Sequence, residues 1–112
     1  MAFGNYQNVG SWWYKDMGID IVAINIQTRD ILFGEVEWRN RKMDVKDYIH
    51  LREKAIMVPW NKYNRNEYYA LFSREGFTDS MKELAKKEKV LLFDSELILE
   101  VLVKPKNTLN KS

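Results

Sequence analysis

Two nearly continuous apolar runs, IDIVAINI (residues 19–26) and ILFGEVEW (residues 31–38), are separated only by the polar stretch QTRD. A strand that is apolar at almost every position is typical of a sheet covered on both faces. A short polar break between two such runs predicts a hairpin of antiparallel strands. Helices are then needed to cover the sheet, so these runs restrict the chain to a layered α/β architecture.

The rest of the chain supplies the other elements of that architecture. The stretch SWWY before the turn KDMG predicts a first strand, and EYYALFS and VLLFD predict two more. A helix is predicted over residues 44–58, where an apolar stripe ends at Pro59. A second helix over residues 79–89 has Thr78 as its N-cap. The order is βββαβαβ, which predicts an antiparallel meander followed by a parallel portion in one mixed sheet.

A chain of 112 residues corresponds to a single domain over residues 1–112. Residues 1–9 form a short lead-in, residues 104–112 a flexible tail, and the type of ELILEVLV (residues 96–103) stays open. The chain has no cysteine, which excludes disulfides, zinc–thiolate sites and thiol nucleophiles. No apolar run is long enough to span a membrane, and we expect a soluble, cytoplasmic protein.

The two glutamates of ILFGEVEW are unexpected in a buried strand. If the hairpin turns between Gln27 and Thr28, facing residues have numbers that sum to 55, and Asp20 lies opposite Glu35. Glu37 lies on the same side as Glu35, so three carboxylates would gather and favour a hard divalent cation, Mg²⁺ or Mn²⁺. In the alternative, Glu37 pairs with a neighbouring arginine, Arg39 or Arg41, and nothing is bound.

The same residues carry a family resemblance. GIDIVA, then ILFGEVEWRNR, a helix, EYYALFSREGFT and VLLFD resemble the C-terminal domain of the archaeal ATPase family, a domain of unknown function. That domain in turn resembles the PD-(D/E)XK nucleases, which have a restriction-endonuclease-like fold. The resemblance covers residues 9–94, and GEVEWRN is its most specific part. It implies a restriction-endonuclease-like mixed sheet flanked by helices.

By position, the resemblance implies roles for four residues. Asp20 matches the metal-binding aspartate, Glu35 the second acidic ligand, and the carbonyl of Val36 a further metal ligand. Glu37 stands where the motif has a catalytic lysine, which removes one cation and adds one anion. Some relatives carry Glu at that place and still cleave, so Asp20, Glu35 and Glu37 are the candidate catalytic residues. Arg39 is a candidate replacement for the missing positive charge.

Two stretches predict contacts with nucleic acid. RNRKMDVK directly follows the acidic residues, and WNKYNRN interleaves aromatic and basic side chains. In the alternative, the first stretch is a solvated loop and the second folds back on the core. The candidate nucleic-acid-binding residues are Arg39, Arg41, Lys42, Lys46, Lys62 and Arg65.

Three functions remain open at this point. The first is a nuclease-like accessory domain of an archaeal ATPase that binds DNA with weak or lost cleavage. The second is an active Mg²⁺- or Mn²⁺-dependent DNA endonuclease. The third is an interaction module that docks on an ATPase module of the same or a partner chain, or on a second copy as a homodimer.

Overall fold

The structure, a computed structural model, describes residues 6–94. The apolar segment 96–103 and the tail 104–112 lie outside the described residues, as does most of the lead-in. The elements occur in the predicted order βββαβαβ. They are β1 (Asn8–Tyr14), β2 (Met17–Asn25), β3 (Asp30–Glu37), α1 (Val45–Ile56), β4 (Asn66–Ser73), α2 (Asp79–Glu88) and β5 (Leu91–Phe93).

The five strands form one mixed sheet in the order β1-β2-β3-β4-β5. The first three strands are antiparallel to one another, whereas β4 is parallel to both β3 and β5. In the hairpin of β2 and β3, Ile21 pairs with Gly34 and Asn25 with Asp30, so the predicted register is confirmed. The predicted α/β fold class, with one mixed sheet and the element order βββαβαβ, is therefore confirmed.

Both described helices pack on the same face of the sheet. The strands β3, β4 and β5 follow one another in one direction, and right-handed crossovers between them place α1 and α2 on one side. Between helices and sheet lies the larger core, to which α1 contributes Tyr48, Leu51 and Ala55, and α2 contributes Met81 and Ala85. This face holds the candidate site.

The opposite face of the sheet is also buried. Its apolar side chains belong to the alternate positions of the same strands, as the pleat requires. Ala23, Leu32, Ala70 and Phe72 are each 0% exposed. Burial on both faces confirms the interpretation of the two continuous apolar runs.

The N-termini of the two helices are joined by their caps. Asp44 caps α1 in a capping box with Asp47, and Thr78 caps α2 by accepting a hydrogen bond from the Met81 amide. The Thr78 hydroxyl also donates to the Asp44 carboxylate at 2.7 Å. These contacts hold both helix starts beside the end of β3 and confirm the predicted cap at Thr78. Among the helices within residues 6–94, none combines the length and apolar character that crossing a membrane requires.

Candidate metal and nucleic-acid site

The strand β2 carries a bulge at the candidate site. The register between β1 and β2 shifts between Gly10 and Trp12, so that Asp20 and Ile21 both lie opposite Ser11. A bulge bends the strand and changes the direction of its side chains. Here it accompanies the turn of the Asp20 carboxylate toward the neighbouring strand β3.

Asp20 and Glu35 are brought together, as the register predicts. The Asp20 carboxylate accepts a hydrogen bond from the Val36 amide at 2.9 Å, and the Asp20 amide donates to the Glu35 carboxylate at 3.4 Å. Burial and a hydrogen bond to Asp20 raise the pKa of Glu35 to about 7. Glu35 is thus partly desolvated beside Asp20, and a negative charge on Glu35 is unfavourable there.

A lysine from α1 contacts this pair. Lys54 forms an ion pair with the Glu35 carboxylate and donates a hydrogen bond to the Gly18 carbonyl at 2.8 Å. Its side chain is 23% exposed and that of Glu35 is 15% exposed, so water screens the pair only partly. The cation at the acidic pair is therefore Lys54. Arg39, the candidate from the sequence, pairs with Glu37 instead.

Glu37 lies at the same end of the sheet but is engaged elsewhere. Arg39 donates to both of its carboxylate oxygens, at 2.8 and 3.0 Å, and Arg41 contacts it at 2.5 Å. The hydrogen bonds from Arg39 lower the pKa of Glu37 to about 2, although its side chain is only 7% exposed. This geometry matches the alternative in which Glu37 pairs with neighbouring arginines.

The predicted gathering of three carboxylates is not formed. Across residues 6–94, no group of three or more His, Cys, Asp or Glu side chains is arranged to hold a metal ion. Two carboxylates remain, those of Asp20 and Glu35. Mg²⁺ is commonly held by one or two carboxylates together with waters and substrate phosphates, so this pair fits a hard divalent cation that arrives with a phosphate.

These groups line an open cleft of about 330 Å³ at the end of the sheet. Its lining residues include His50 and Lys54, both from α1, which sequence reasoning did not assign to a site. They are four residues apart, so they lie on one side of the helix. The buried stripe of α1 indicates which side of the helix faces the sheet, but the sequence does not indicate which flank borders the acids.

The candidate DNA-contacting residues divide into three groups. Lys42, Lys46 and Lys62 are exposed, and Arg39 is 78% exposed despite its contact with Glu37. Arg41 is half-engaged, since its guanidinium also forms two hydrogen bonds with Asp47. Of the exposed group, Arg39 lines the cleft, and Lys42 and Lys46 are sequence neighbours of the lining residues Arg41 and Asp47.

Arg65 is placed differently from the expectation. Its side chain is 2% exposed and donates to the carbonyls of Ala55, Val58 and Trp60 at 2.7–3.0 Å. These carbonyls lie in the last turn of α1 and just beyond it, where helical acceptors lack intrahelical partners. Burial of the guanidinium argues against the predicted contact with nucleic acid and assigns Arg65 to the end of α1.

Comparison with known proteins gives a partial family match. Residues 2–51 match the model of the DUF234 family, described as "Archaea bacterial proteins of unknown function". An uncharacterized protein of Methanocaldococcus jannaschii is 34% identical over a 95-residue alignment, and the match covers 81% of this chain. The chain spans only 19% of the length of that relative.

Two solved structures resemble this chain at low sequence identity. The protein of unknown function AF1548 matches with a TM-score of 0.58 and 16% identity, covering 89% of this chain and 59% of that chain. A repair endonuclease from Pyrococcus abyssi matches with a TM-score of 0.45 and 16% identity, covering 79% and 38%. The likeness to AF1548 concerns the fold and assigns no activity.

Proposed function

We propose, with the match to the DUF234 family as the premise, that this chain is a nuclease-like domain that binds DNA and cleaves it weakly in the presence of a divalent cation. The observation that carries the proposal is the meeting of Asp20, Glu35 and Lys54 in one open cleft. Two hard acidic ligands beside a cation are the groups that metal-dependent phosphodiester hydrolysis requires. The family resemblance of GEVEWRN adds to this argument.

The residues have distinct parts in this proposal. The Val36 amide holds one oxygen of Asp20, so the carboxylate keeps a fixed orientation toward Glu35. Asp20, Glu35 and the Val36 carbonyl would hold Mg²⁺ or Mn²⁺, which would lower the pKa of a bound water and offset charge on the phosphate. Lys54 is restrained by the Gly18 carbonyl, and an ammonium group has three donors, which allows a further bond to a phosphate oxygen.

Weak cleavage follows from the position of Glu37. Because its charge is compensated by Arg39 and Arg41, it adds no third ligand to the acidic pair. Affinity for the metal in the absence of DNA is then low, and the substrate phosphate must supply part of the coordination. Lys54 favours the second candidate, an efficient Mg²⁺- or Mn²⁺-dependent endonuclease, since it supplies the cation that the sequence motif lacks.

Binding to DNA rests on the exposed cations beside the cleft. Arg39, Lys42 and Lys46 directly follow the strand that carries Glu35, and a backbone bound at the cleft would pass them. Three such contacts predict a slope of about −2 to −3 for log K against log salt. Fluorescence anisotropy with duplex, branched and single-stranded DNA in chelator measures this slope. Binding that ignores salt, or that survives Lys42→Glu with Lys46→Glu, would contradict the proposal.

The acidic pair is tested by calorimetric titration of Mn²⁺ with and without DNA. We expect heat from the wild type, strongest with DNA present, and none from Asp20→Asn. Cleavage is then measured with labelled duplex, with chelator and Asp20→Asn as controls. Activity lost in both controls identifies this site, and its rate separates a weak nuclease from an efficient one. Activity that survives Asp20→Asn indicates a contaminant and would remove the proposal.

The proposal also includes an ATPase module as the partner of this domain. We infer that the domain is accessory to an ATPase module, in the same or a partner chain, as the resemblance implies. The Methanocaldococcus jannaschii relative extends well beyond the matched region, which leaves room for such a module there. Co-purification with an ATPase partner tests this step, and a DNA substrate fits a cytoplasmic location.

A further inference from the structure

The outer strand β1 is the most exposed element of the sheet. Every residue of Asn8–Tyr14 except Trp12 is exposed, and Val9 and Trp13 are 59% and 70% exposed. Within residues 6–94, β1 pairs with β2 only, so one row of its backbone groups has no strand beside it. An edge of this kind is a template for another strand.

The sequence of β1 has none of the usual protections of an edge strand. Its seven residues, NVGSWWY, contain no charged residue and no proline. The irregularity next to it places the extra residue in β2, opposite Ser11, so β1 itself stays regular. Nucleic acid would need cations here, which β1 does not carry. A further β-strand is the partner that this edge fits.

We propose that β1 pairs antiparallel with β1 of a second copy of this chain, with a two-fold axis at Ser11. Facing residues then have numbers that sum to 22. Val9 of each copy lies opposite Trp13 of the other, so the symmetry gives two such pairs. Gly10, which has open space where a Cβ would stand, faces the large Trp12. Each pair therefore joins side chains that complement each other in size or polarity.

The charges at the ends of the strand also permit this pairing. Lys15 and Asp16 form the turn after β1, where Lys15 has a φ of 57°, so both lie outside the paired residues 8–14. Those paired residues carry no charge, so no like charges oppose each other. A two-fold arrangement uses one surface on both subunits, and it is the commonest form of oligomer. A second copy would thus pair with the edge of β1, cover the exposed ring of Trp13 and bring no like charges together.

The symmetry has a consequence for the cleft. Antiparallel pairing keeps the same face of both sheets on one side, so both clefts open in the same direction. Asp20 lies opposite Ser11, and three strand spacings would separate the two copies of Asp20 by about 14 Å. This spacing gives the dimer access to both strands of a duplex. Only this consequence rests on the proposed nuclease function.

The first test is the mass of the full chain in solution without DNA. Light scattering or sedimentation is expected to give twice 13.4 kDa at high concentration and 13.4 kDa on dilution. Val9→Lys is expected to stay monomeric, whereas the control Ile56→Lys, at an equally exposed site on α1, is expected to dimerise. Circular dichroism shows that both variants fold. A wild type that is monomeric at its solubility limit, or a dimer that survives Val9→Lys, overturns the proposal.

The second test locates the two-fold axis. The chain has no cysteine, so Ser11→Cys introduces a single thiol at the proposed axis. Facing Cα atoms in an antiparallel pair lie about 4.5–5.5 Å apart, within the range of about 4.4–6.8 Å that a disulfide spans, so we expect rapid oxidation. Rapid cross-linking of Ser11→Cys but not of the control Ser80→Cys, on the exposed side of α2, supports the pairing. Equally slow cross-linking of Ser11→Cys and Ser80→Cys overturns the pairing, whether or not the domain cleaves DNA.

Discussion

Replacing Lys54 with methionine tests the ion pair between Lys54 and Glu35. The substitution keeps the length of the side chain but removes the one cation paired with Glu35. An opposite charge within about 4–6 Å lowers an acid's pKa by about 1–3 units. We therefore expect the pKa of Glu35 to rise from about 7 by about one to two units in Lys54→Met. Side-chain NMR titration of labelled glutamate in chelator measures it.

The same change gives a stability difference that depends on pH. The folded pKa of Glu35 lies above its ordinary value of 4.5, so the stability contributed by the protonated acid is fully present below pH 4.5. It is lost as pH rises through about 7 in the wild type, and through a higher pH in Lys54→Met. At pH 5.5 Glu35 is largely protonated, and only the hydrogen bond to Gly18 is lost, about 1 kcal/mol.

At pH 9 the loss is larger, because the ionised Glu35 has lost its partner. One to two pKa units add about 1.4–2.7 kcal/mol, for a total of about 2–4 kcal/mol. Urea denaturation of the wild type, Lys54→Met and the charge-preserving Lys54→Arg at both pH values checks this. Equal destabilisation at pH 5.5 and pH 9, with an unmoved pKa for Glu35, would refute the pairing.

Three further substitutions are expected to separate the stability of the fold from the chemistry of the site. Glu37→Gln removes two ion pairs and is expected to cost about 2 kcal/mol at pH 7 by urea denaturation. Because the pKa of Glu37 is lowered to about 2, that difference is present above pH 4.5 and disappears as pH falls through 2. Arg65→Met is expected to cost about 2–4 kcal/mol, since three carbonyls lose a charged donor, whereas exposed Lys62→Met leaves the unfolding midpoint unchanged. Thr78→Ala is expected to lower the thermal midpoint, at a cost of about 1–2 kcal/mol, and Ser80→Ala is its neutral control.

The fold was predictable because its signals are local. The polar break centred between Gln27 and Thr28 fixes the register of β2 and β3, and from the register follows the meeting of Asp20 and Glu35. The cap at Thr78 follows from its side chain alone. The end of α1 was less well predicted, since the helix stops at Ile56 instead of continuing to residue 58 before Pro59.

The details of the site depend on tertiary packing, which no local pattern encodes. The identity of the cation at Glu35 depends on how α1 crosses the sheet, so the sequence motif directed attention to Arg39 instead of Lys54. Only the structure likewise shows why position 18 is a glycine. The ring of Trp13 lies over Gly18, at 2.8 Å from where a Cβ would stand. The carbonyl of Gly18 accepts a hydrogen bond from Lys54.

The position of Lys54 changes what Glu37 implies for the acidic pair. In the motif that GEVEWRN resembles, lysine stands at the place of Glu37. In a strand-borne motif, replacing lysine with glutamate would leave the acidic pair without a cation and add repulsion. Here a helix supplies the cation to Glu35, and two arginines neutralise Glu37, so neither consequence follows. Glu37, at the position of lysine in the resembling motif, is therefore compatible with the proposed metal-dependent cleavage. Under the proposed function, cleavage would be efficient if Lys54 leaves Glu35 for a phosphate and weak if it stays. A divalent cation would promote that exchange by taking over the negative charge of Glu35 that Lys54 now balances.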